Sequence, residues 1–186
     1  MRAKAADKLV ENLERHGHLT TGFVGTKDLM LVLRDIGRAD LAYRLLLRDD
    51  YPSWLFCVKH GATTIWERWN GWTPEDGFAD PGMNSLSHYA YGAVGQFMFE
   101  TIGGIRLIEP GYKKFLIAPV PGPLTSGKAT HDSVRGHIIS DWKIERGLFN
   151  LEVSVPPNTE VVVRLPSGAE KTVGSGVWNF DEKSPD

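Results

Sequence analysis

The first part of the chain repeats apolar residues at the 3.6-residue period of an α-helix. Leu9, Val10 and Leu13 recur among charged residues, and Gly17 follows, so the pattern predicts a helix over 2–15. Two further helices are predicted. The second helix is capped by Thr26 and ends at Gly37. The third is capped by Asp40 and ends before Pro52.

The middle of the chain, residues 53–83, is rich in tryptophan, glycine and proline. It predicts an aromatic loop system that either plugs the end of a scaffold or lines a pocket. The tryptophans are Trp54, Trp66, Trp69 and Trp72. After it, the pattern predicts a long helix from Asn84 or Ser85 to Gly103, apolar on nearly all sides and therefore an inner helix.

Beyond Gly104 the apolar period changes to two, which is typical of β-strands. Strands are predicted at 137–144, 148–155 and 159–165, separated by turn sequences rich in Gly, Pro and Asn. They predict an antiparallel meander or sandwich. The chain is therefore expected to contain two domains, 1–105 and 106–186.

Composition narrows the class of protein. Lys and Arg number 21 against 23 Asp and Glu, so the net charge of −2 gives no bulk attraction to nucleic acid or anionic membranes. Hydrophobic residues make up 41%, enough for a folded core. The charged N-terminal residues do not resemble a signal peptide and no run of about 18 apolar residues occurs, so we expect a cytoplasmic protein without membrane spans.

Metal and thiol chemistry have little support in the sequence. Cys57 is the only cysteine, which excludes an intramolecular disulfide and a cysteine-based zinc site, and we expect a small buried hydrophobe there. Histidines at 16 and 18 and carboxylates at 75, 76 and 80 provide too few ligands at unspecific spacing. We therefore expect no metal and no cofactor.

Five segments, in register, resemble bacterial α-L-rhamnosidases of glycoside hydrolase family 78. They are 18–26, 40–47, 51–55, 61–69 and 83–92, and the shorter matches at 110–112, 117–119 and 155–159 resemble the C-terminal β-sandwich of that family. The resemblance implies an (α/α)6 barrel followed by an antiparallel β-sandwich. A complete barrel of this kind has six hairpins and therefore twelve helices, whereas this chain has four or five, so the barrel would be partial. Residues 1–105 would be the C-terminal portion of the barrel and 106–186 the sandwich.

The resemblance also assigns residue roles. Glu67, within the sequence Trp-Glu-Arg-Trp, stands at the position of the general base, and His88 stands where a histidine can bind a sugar hydroxyl. Trp54 and Trp66 would contact the sugar. From the residues alone, Glu67 could instead be a loop carboxylate paired with Arg68, His88 a core histidine, and the tryptophans structural. Thr20, Thr21 and Gly22 could shape the rim or merely form a turn.

An inverting glycosidase needs two carboxyl groups roughly 6.5–9.5 Å apart, one acting as acid and one as base. The family's acid lies in an upstream motif that residues 1–17 do not match. Whether the chain alone is an enzyme is therefore open. We expect the C-terminal part of an inverting α-L-rhamnosidase acting on terminal α-L-rhamnosyl glycosides. The alternatives are a non-catalytic rhamnose-binding or structural module, and an assembly subunit completed by another chain.

Two geometric expectations follow. Glu67 and His88 should lie within about 6 Å of each other in a concavity walled by Trp54 or Trp66. A partial barrel should also leave inner apolar side chains without their usual partners. Those expected to be exposed are Leu33, Leu45 and Phe97.

Overall fold

Residues 2–184 are described in the computed structural model, and the chain separates after Gly95 into a helical unit, 1–95, and a sheet unit, 96–186. The helical unit begins with four α-helices. They are α1 (Arg2–His16), α2 (Phe23–Asp35), α3 (Ala39–Leu46) and α4 (Trp54–Lys59). The first three confirm the predicted helices, whereas α4 lies in a stretch predicted as loop.

The start of α2 differs from the prediction. Gly22 is the N-cap residue, and Thr26 lies within the helix, where its hydroxyl donates a hydrogen bond to the Gly22 carbonyl oxygen at 2.9 Å. A threonine hydroxyl can bond to the carbonyl four residues earlier, so a sequence signal for a cap also fits the first turn of a helix. The capping role predicted for Thr26 is therefore wrong.

Asp40 likewise does not cap α3, because the helix begins one residue earlier, at Ala39. Its carboxylate accepts a hydrogen bond from Arg38 Nε at 2.9 Å, and this contact with the guanidinium lowers the pKa of Asp40. Arg38 also donates to Glu14 at 2.8 Å, so this arginine joins the end of α1 to the beginning of α3.

The inner faces of α2 and α3 are covered. Leu33 is 0% exposed and Leu45 is 4% exposed, and Phe97, farther along the chain, is also fully buried. The expectation that these side chains would lack partners is therefore wrong, because the chain buries them itself. A partly apolar groove is nevertheless open between α1 and α2.

The prediction of a long helix from Asn84 or Ser85 is also wrong for the first part of that stretch. Helical structure begins only at Ala90 and changes type twice. It consists of a 3₁₀ turn (Ala90–Ala93), the short helix α5 (Val94–Phe97) and a π-helical stretch (Met98–Ile102). The preceding loop system contains a two-stranded sheet of β1 (Trp72–Thr73) and β2 (Gly77–Phe78), and a 3₁₀ turn (Pro81–Met83).

The sheet unit contains two four-stranded sheets. The first, in spatial order, is β10 (Gly176–Lys183), β7 (Leu148–Val155), β6 (Gly136–Glu145) and β5 (Ser126–Ser133). The second is β3 (Ile105–Leu107), β4 (Lys114–Ile117), β8 (Glu160–Arg164) and β9 (Glu170–Val173). All pairs are antiparallel except β4 and β8, which are parallel. The three predicted strands correspond to β6, β7 and β8.

One hydrophobic core contains the inward-facing side chains of both sheets. Ile105 and Phe115 from the second sheet and Ile138 and Phe149 from the first are all 0% exposed. Trp142 is almost completely buried there, and its indole N–H donates to the Ile102 carbonyl oxygen at 2.7 Å. Alternation of buried and exposed residues along β6 and β7 gives each strand one core face and one solvent face.

Candidate active site

Two irregular segments of the helical unit, 64–67 and 85–88, are joined by main-chain hydrogen bonds. Glu67 N donates to the Ser85 carbonyl oxygen at 2.9 Å, and His88 N donates to the Ile65 carbonyl oxygen at 2.7 Å. The Thr64 hydroxyl adds a hydrogen bond to the Leu86 carbonyl oxygen. These bonds occupy the Ser85 and Leu86 carbonyl oxygens and the His88 amide, so they compete with helix formation in this stretch. The pairing also brings the segment of Glu67 next to that of His88.

The Glu67 carboxylate is held by its neighbour on the paired segment. Ser85 N donates to Glu67 Oε2 at 2.8 Å, and among residues 2–184 this is the single hydrogen bond that the carboxylate accepts. Glu67 is half-buried, and within the same residues it forms no ion pair with Arg68. The second carboxylate oxygen is therefore available to a water molecule or a hydroxyl group.

His88 lies in the loop before the 3₁₀ turn, not in a helix. Its ring is between two aromatic rings, with centroid distances of 5.2 Å to Phe23 and 5.5 Å to Tyr89. The Ala90 amide N–H donates to His88 Nδ1 at 3.3 Å. This contact requires a lone pair on Nδ1, so the neutral ring carries its proton on Nε2 and can donate from there.

Trp54 belongs to an aromatic cluster beneath these segments. It is 7% exposed, its indole N–H donates to the Tyr91 carbonyl oxygen at 3.0 Å, and its ring meets Trp69 edge-on at 5.2 Å. Trp69 stacks on the Tyr91 ring at 3.7 Å, and Tyr91 contacts Phe23 at 6.4 Å. Burial, with smaller contributions from Tyr51 and Cys57, raises the pKa of Tyr91 to about 12. The cluster therefore links Trp54 to the ring that packs against His88.

Trp66 is outside this cluster. It is 8% exposed, and no ring contact joins it to another aromatic residue in the described part of the chain. Its Cε3 atom would lie 3.4 Å from a Cβ atom added at Gly71, so the indole packs against the turn that leads into β1. Thr21, a possible rim residue, bonds to the Thr26 hydroxyl at 2.8 Å.

Of the four predicted site residues, Glu67 and His88 lie on directly paired segments, Trp54 approaches through Tyr91, and Trp66 adjoins Gly71. Their predicted roles, and the predicted 6 Å separation, remain predictions. Sequence reasoning gave Asn84 and Ser85 only the start of a helix and did not predict the bond from Ser85 N to the Glu67 carboxylate. The only signal for them was their place in the resembling segment 83–92, because a main-chain N–H is common to nearly every residue type.

Neither a metal site nor a membrane span is found in residues 2–184. No group of three or more His, Cys, Asp or Glu side chains there is arranged to hold an ion. The carboxylate of Asp80 accepts a hydrogen bond from Gly82 N at 2.8 Å and caps a 3₁₀ turn. No helix within the same residues is long and apolar enough to cross a bilayer.

Family comparisons assign both parts of the chain. Residues 1–102 match the bacterial alpha-L-rhamnosidase 6 hairpin glycosidase domain, and residues 104–177 match the bacterial alpha-L-rhamnosidase C-terminal domain. The chain belongs to the α-L-rhamnosidases of glycoside hydrolase family 78. This confirms the family inferred from the sequence motifs.

Relatives of this family cover nearly all of the chain. An alpha-L-rhamnosidase of Formosa agariphila is 45% identical over 178 residues, which are 95% of this chain and 19% of that protein. One of Streptomyces avermitilis is 46% identical over 169 residues, 90% of this chain and 16% of that protein. The chain thus spans about a fifth or less of the length of these relatives.

Solved rhamnosidases share the fold. The chain superposes on Streptomyces avermitilis alpha-L-rhamnosidase complexed with L-rhamnose with a TM-score of 0.91 at 42% identity, over 96% of this chain and 19% of that one. It superposes on the enzyme from Aspergillus terreus with a TM-score of 0.90 at 37% identity, over 96% of this chain and 21% of that one. The helical part followed by a sheet-rich part is therefore a rhamnosidase arrangement.

Proposed function

We propose that this chain supplies the general-base side of an inverting α-L-rhamnosidase active site, with Glu67 as the base. The observation that carries the proposal is the Glu67 carboxylate, which is bonded through one oxygen to Ser85 N and has its other oxygen available. Membership of the family supports L-rhamnose as the sugar. Terminal α-L-rhamnosyl glycosides are accordingly the proposed substrate class.

In the proposed reaction, Glu67 takes a proton from a water molecule on the face of the sugar opposite the leaving group. The water oxygen forms a bond to the anomeric carbon while the glycosidic C–O bond breaks, and a carboxylic acid outside this chain protonates the departing oxygen. Products are L-rhamnose with inverted configuration and the free alcohol, so atoms and charge balance. His88, with its proton on Nε2, would donate a hydrogen bond to a sugar hydroxyl or to the water.

The tryptophans have a less direct part in this proposal. Trp54 and Trp66 remain the proposed aromatic contacts of the sugar, whose C6 methyl group gives it an apolar edge. Both are less than 10% exposed, so a contact would be made by a small part of each ring. Their larger contribution would be to stabilise the loop segments that contain Glu67 and His88.

The remaining architecture is also a proposal. Residues 1–105 would form the last part of an (α/α)6 barrel, and 106–186 a β-sandwich. An observation favours completion by other helices: the groove between α1 and α2 is lined mostly by apolar side chains, with Val32 40% and Ile36 36% exposed, and has Arg2 and Asp35 among its other lining residues. Apolar grooves of this kind typically receive another helix. A rhamnosidase helix, carried on another chain or elsewhere on the same one, is the proposed occupant.

Titration of the ¹⁵N-labelled chain with L-rhamnose tests the proposal without requiring turnover. We expect the largest shifts at amides of 64–67 and 85–88, with a smaller shift at the Trp54 indole N–H. The affinity should be about three- to tenfold lower in Glu67→Gln, since one hydrogen bond to the ligand weakens. Glu75→Gln is the matched control, because Glu75 is an exposed carboxylate of the same loop system. L-Fucose serves as the mismatched sugar.

Three results would decide between the alternatives. Equal responses to L-rhamnose and L-fucose, or none, would contradict the proposed site. L-Rhamnose binding that is unchanged in Glu67→Gln would favour a binding module in which this carboxylate has no part. Weaker binding in Glu67→Gln, with Glu75→Gln unaffected, would support the role assigned to Glu67.

A further inference from the structure

We infer that Asn84 is a positioning residue that fixes the orientation of the Glu67 carboxylate through the Ser85 amide. The inference rests on the proposed function for its catalytic meaning, but its structural content stands on separate contacts. Asn84 does not touch Glu67. It acts by fixing the residue whose N–H binds the carboxylate.

The Asn84 side chain anchors the start of the 85–88 segment to the β1–β2 hairpin region. Its amide group Nδ2 donates to the Gly71 carbonyl oxygen at 2.9 Å and to the Ala79 carbonyl oxygen at 3.4 Å. The same two residues are joined by a hydrogen bond from Ala79 N to the Gly71 carbonyl oxygen at 3.1 Å. Asn84 is thus attached to both sides of a closed turn.

Space around this side chain is limited on the side of Gly71. A Cβ atom added at Gly71 would lie 3.0 Å from Asn84 Oδ1, which is tighter than ordinary packing, so glycine leaves room for the asparagine. Asn84 Oδ1 is buried and accepts no hydrogen bond from residues 2–184. A buried polar atom without a partner costs free energy, and the two hydrogen bonds that Asn84 Nδ2 donates offset this cost.

The consequence lies one residue further along the chain. Ser85 is bound to Glu67 twice, through its carbonyl oxygen to Glu67 N at 2.9 Å and through its N–H to Glu67 Oε2 at 2.8 Å. Fixing Asn84 therefore fixes the direction of the Ser85 N–H, and with it the carboxylate oxygen that remains for water. At the other end of the segment, the bond from His88 N to the Ile65 carbonyl oxygen completes the restraint.

The alternative is that Asn84 stabilises the loop without influencing Glu67. The Ser85 amide resonance distinguishes the two, because an N–H donating to a carboxylate has a characteristic downfield proton shift that is lost when the bond opens. Glu67→Gln defines the shift expected without the charged acceptor. A general loss of stability would not move this one resonance selectively toward that value.

The experiment compares Ser85 amide shifts in the full ¹⁵N-labelled chain, in Asn84→Ala and in Asn70→Ala. Asn70 is a half-buried asparagine of the same loop system with no side-chain hydrogen bond in residues 2–184, so it is a matched control. We expect the Ser85 amide to move upfield, toward its position in Glu67→Gln, only in Asn84→Ala. L-Rhamnose affinity should fall about three- to tenfold in that variant, as for the loss of one or two hydrogen bonds.

A second variant covers the case in which Asn84→Ala does not fold. Gly71→Ala leaves Asn84 in place but introduces the 3.0 Å contact with its Oδ1, so the Ser85 amide should shift in the same direction by a smaller amount. An unmoved Ser85 amide in folded Asn84→Ala or Gly71→Ala would overturn the inference. A moved amide with unchanged L-rhamnose affinity would show that Asn84 orients Glu67 but would overturn its part in sugar binding. Failure of the wild-type chain to bind L-rhamnose would instead overturn the proposed function, while the Ser85 shifts would still decide whether Asn84 orients Glu67.

Discussion

The indole N–H of Trp54 donates a hydrogen bond to the main-chain oxygen of Tyr91, which lies 37 residues later in the sequence. This bond joins the first turn of α4 to the 3₁₀ turn that follows His88, and it is buried beneath the candidate active site. The two residues therefore connect the loop system to the segment that carries the proposed sugar-binding histidine.

Trp54→Phe should destabilise the helical unit by about 2–3 kcal/mol, because the Tyr91 carbonyl oxygen would stay buried without its donor and ring volume would be lost. Trp178→Phe is the matched change in the sheet unit. Its indole also donates to a main-chain oxygen, of Gly174 at 3.0 Å, but the acceptor residue is exposed, so a loss of about 1 kcal/mol or less is expected. Urea titrations compare the free energies of unfolding, and equal losses would contradict the role of Trp54.

Two glycines with nearly the same φ angle should respond differently to alanine. Gly104 has φ of +78° and an added Cβ would lie 2.4 Å from Pro119 N, whereas Gly147 has φ of +76° with nothing within 4 Å. Gly147→Ala should cost about 1 kcal/mol for the left-handed conformation alone, and Gly104→Ala at least 2 kcal/mol more because the main chain must move. Thermal or urea unfolding measures the loss of stability in both variants. Similar losses would show that the main chain around Pro119 can move without a large cost in free energy.

Cys57 should be an unreactive thiol in the folded chain. Burial raises its pKa to about 11 from an ordinary value of 9.0, so the thiolate is scarce at pH 8. Alkylation at pH 8 should be roughly tenfold or more slower than in urea, where the thiol is free. Rapid alkylation under native conditions would contradict the burial of Cys57.

The same shift gives a stability change in alkali with a definite sign. Above pH 9 the unfolded chain loses the Cys57 proton while the folded chain keeps it, so stability falls as the pH rises from about 9 to 11. Cys57→Ala should remove this part of the decline. A pH series of urea titrations on both proteins compares the slopes, and parallel curves would indicate that Cys57 does not contribute.

The chain alone should hydrolyse an aryl α-L-rhamnoside poorly. A positioned acid or base typically contributes about 10²- to 10⁴-fold, and an inverting mechanism needs both, whereas only the proposed base is identified in these residues. Release of the aryl alcohol by the purified chain measures this. Turnover comparable with that of a complete glycosidase, and abolished in Glu67→Gln, would place the acid within residues 1–186.

The sequence predicted β6 and β7 better than the helix expected from Asn84 or Ser85, for a local reason. In β6 and β7 the alternation of apolar and polar residues is itself the structure, since one face is buried and the other exposed. Residues 85–102 also have the apolar pattern of a helix. The main-chain groups of Ser85 and His88, however, form hydrogen bonds with the distant segment 64–67. A pairing between segments so far apart in sequence leaves no periodic signal.

The candidate site was predictable only in part. Motif resemblance selected Glu67 and His88, whose side chains have distinctive chemistry. It gave no role to Ser85, which acts through its main chain, or to Asn84, whose two acceptors are main-chain oxygens of Gly71 and Ala79. Contacts of this kind depend on the path of the backbone through the loops, which cannot be predicted from the residue pattern of a single sequence.

The parallel pairing of β4 with β8 joins strands that are far apart in sequence, and this separation favours one order of assembly for the sheet unit. Lys114 lies opposite Glu160, and all of β5, β6 and β7 are synthesised between them. Closing so long a loop is entropically costly before the intervening strands have condensed, so the three-strand meander is the natural nucleus and β8 joins β4 late. A truncated chain that ends before Glu160 and has left the ribosome should accordingly form the meander beside an incomplete second sheet, and addition of β8 should restore cooperative unfolding.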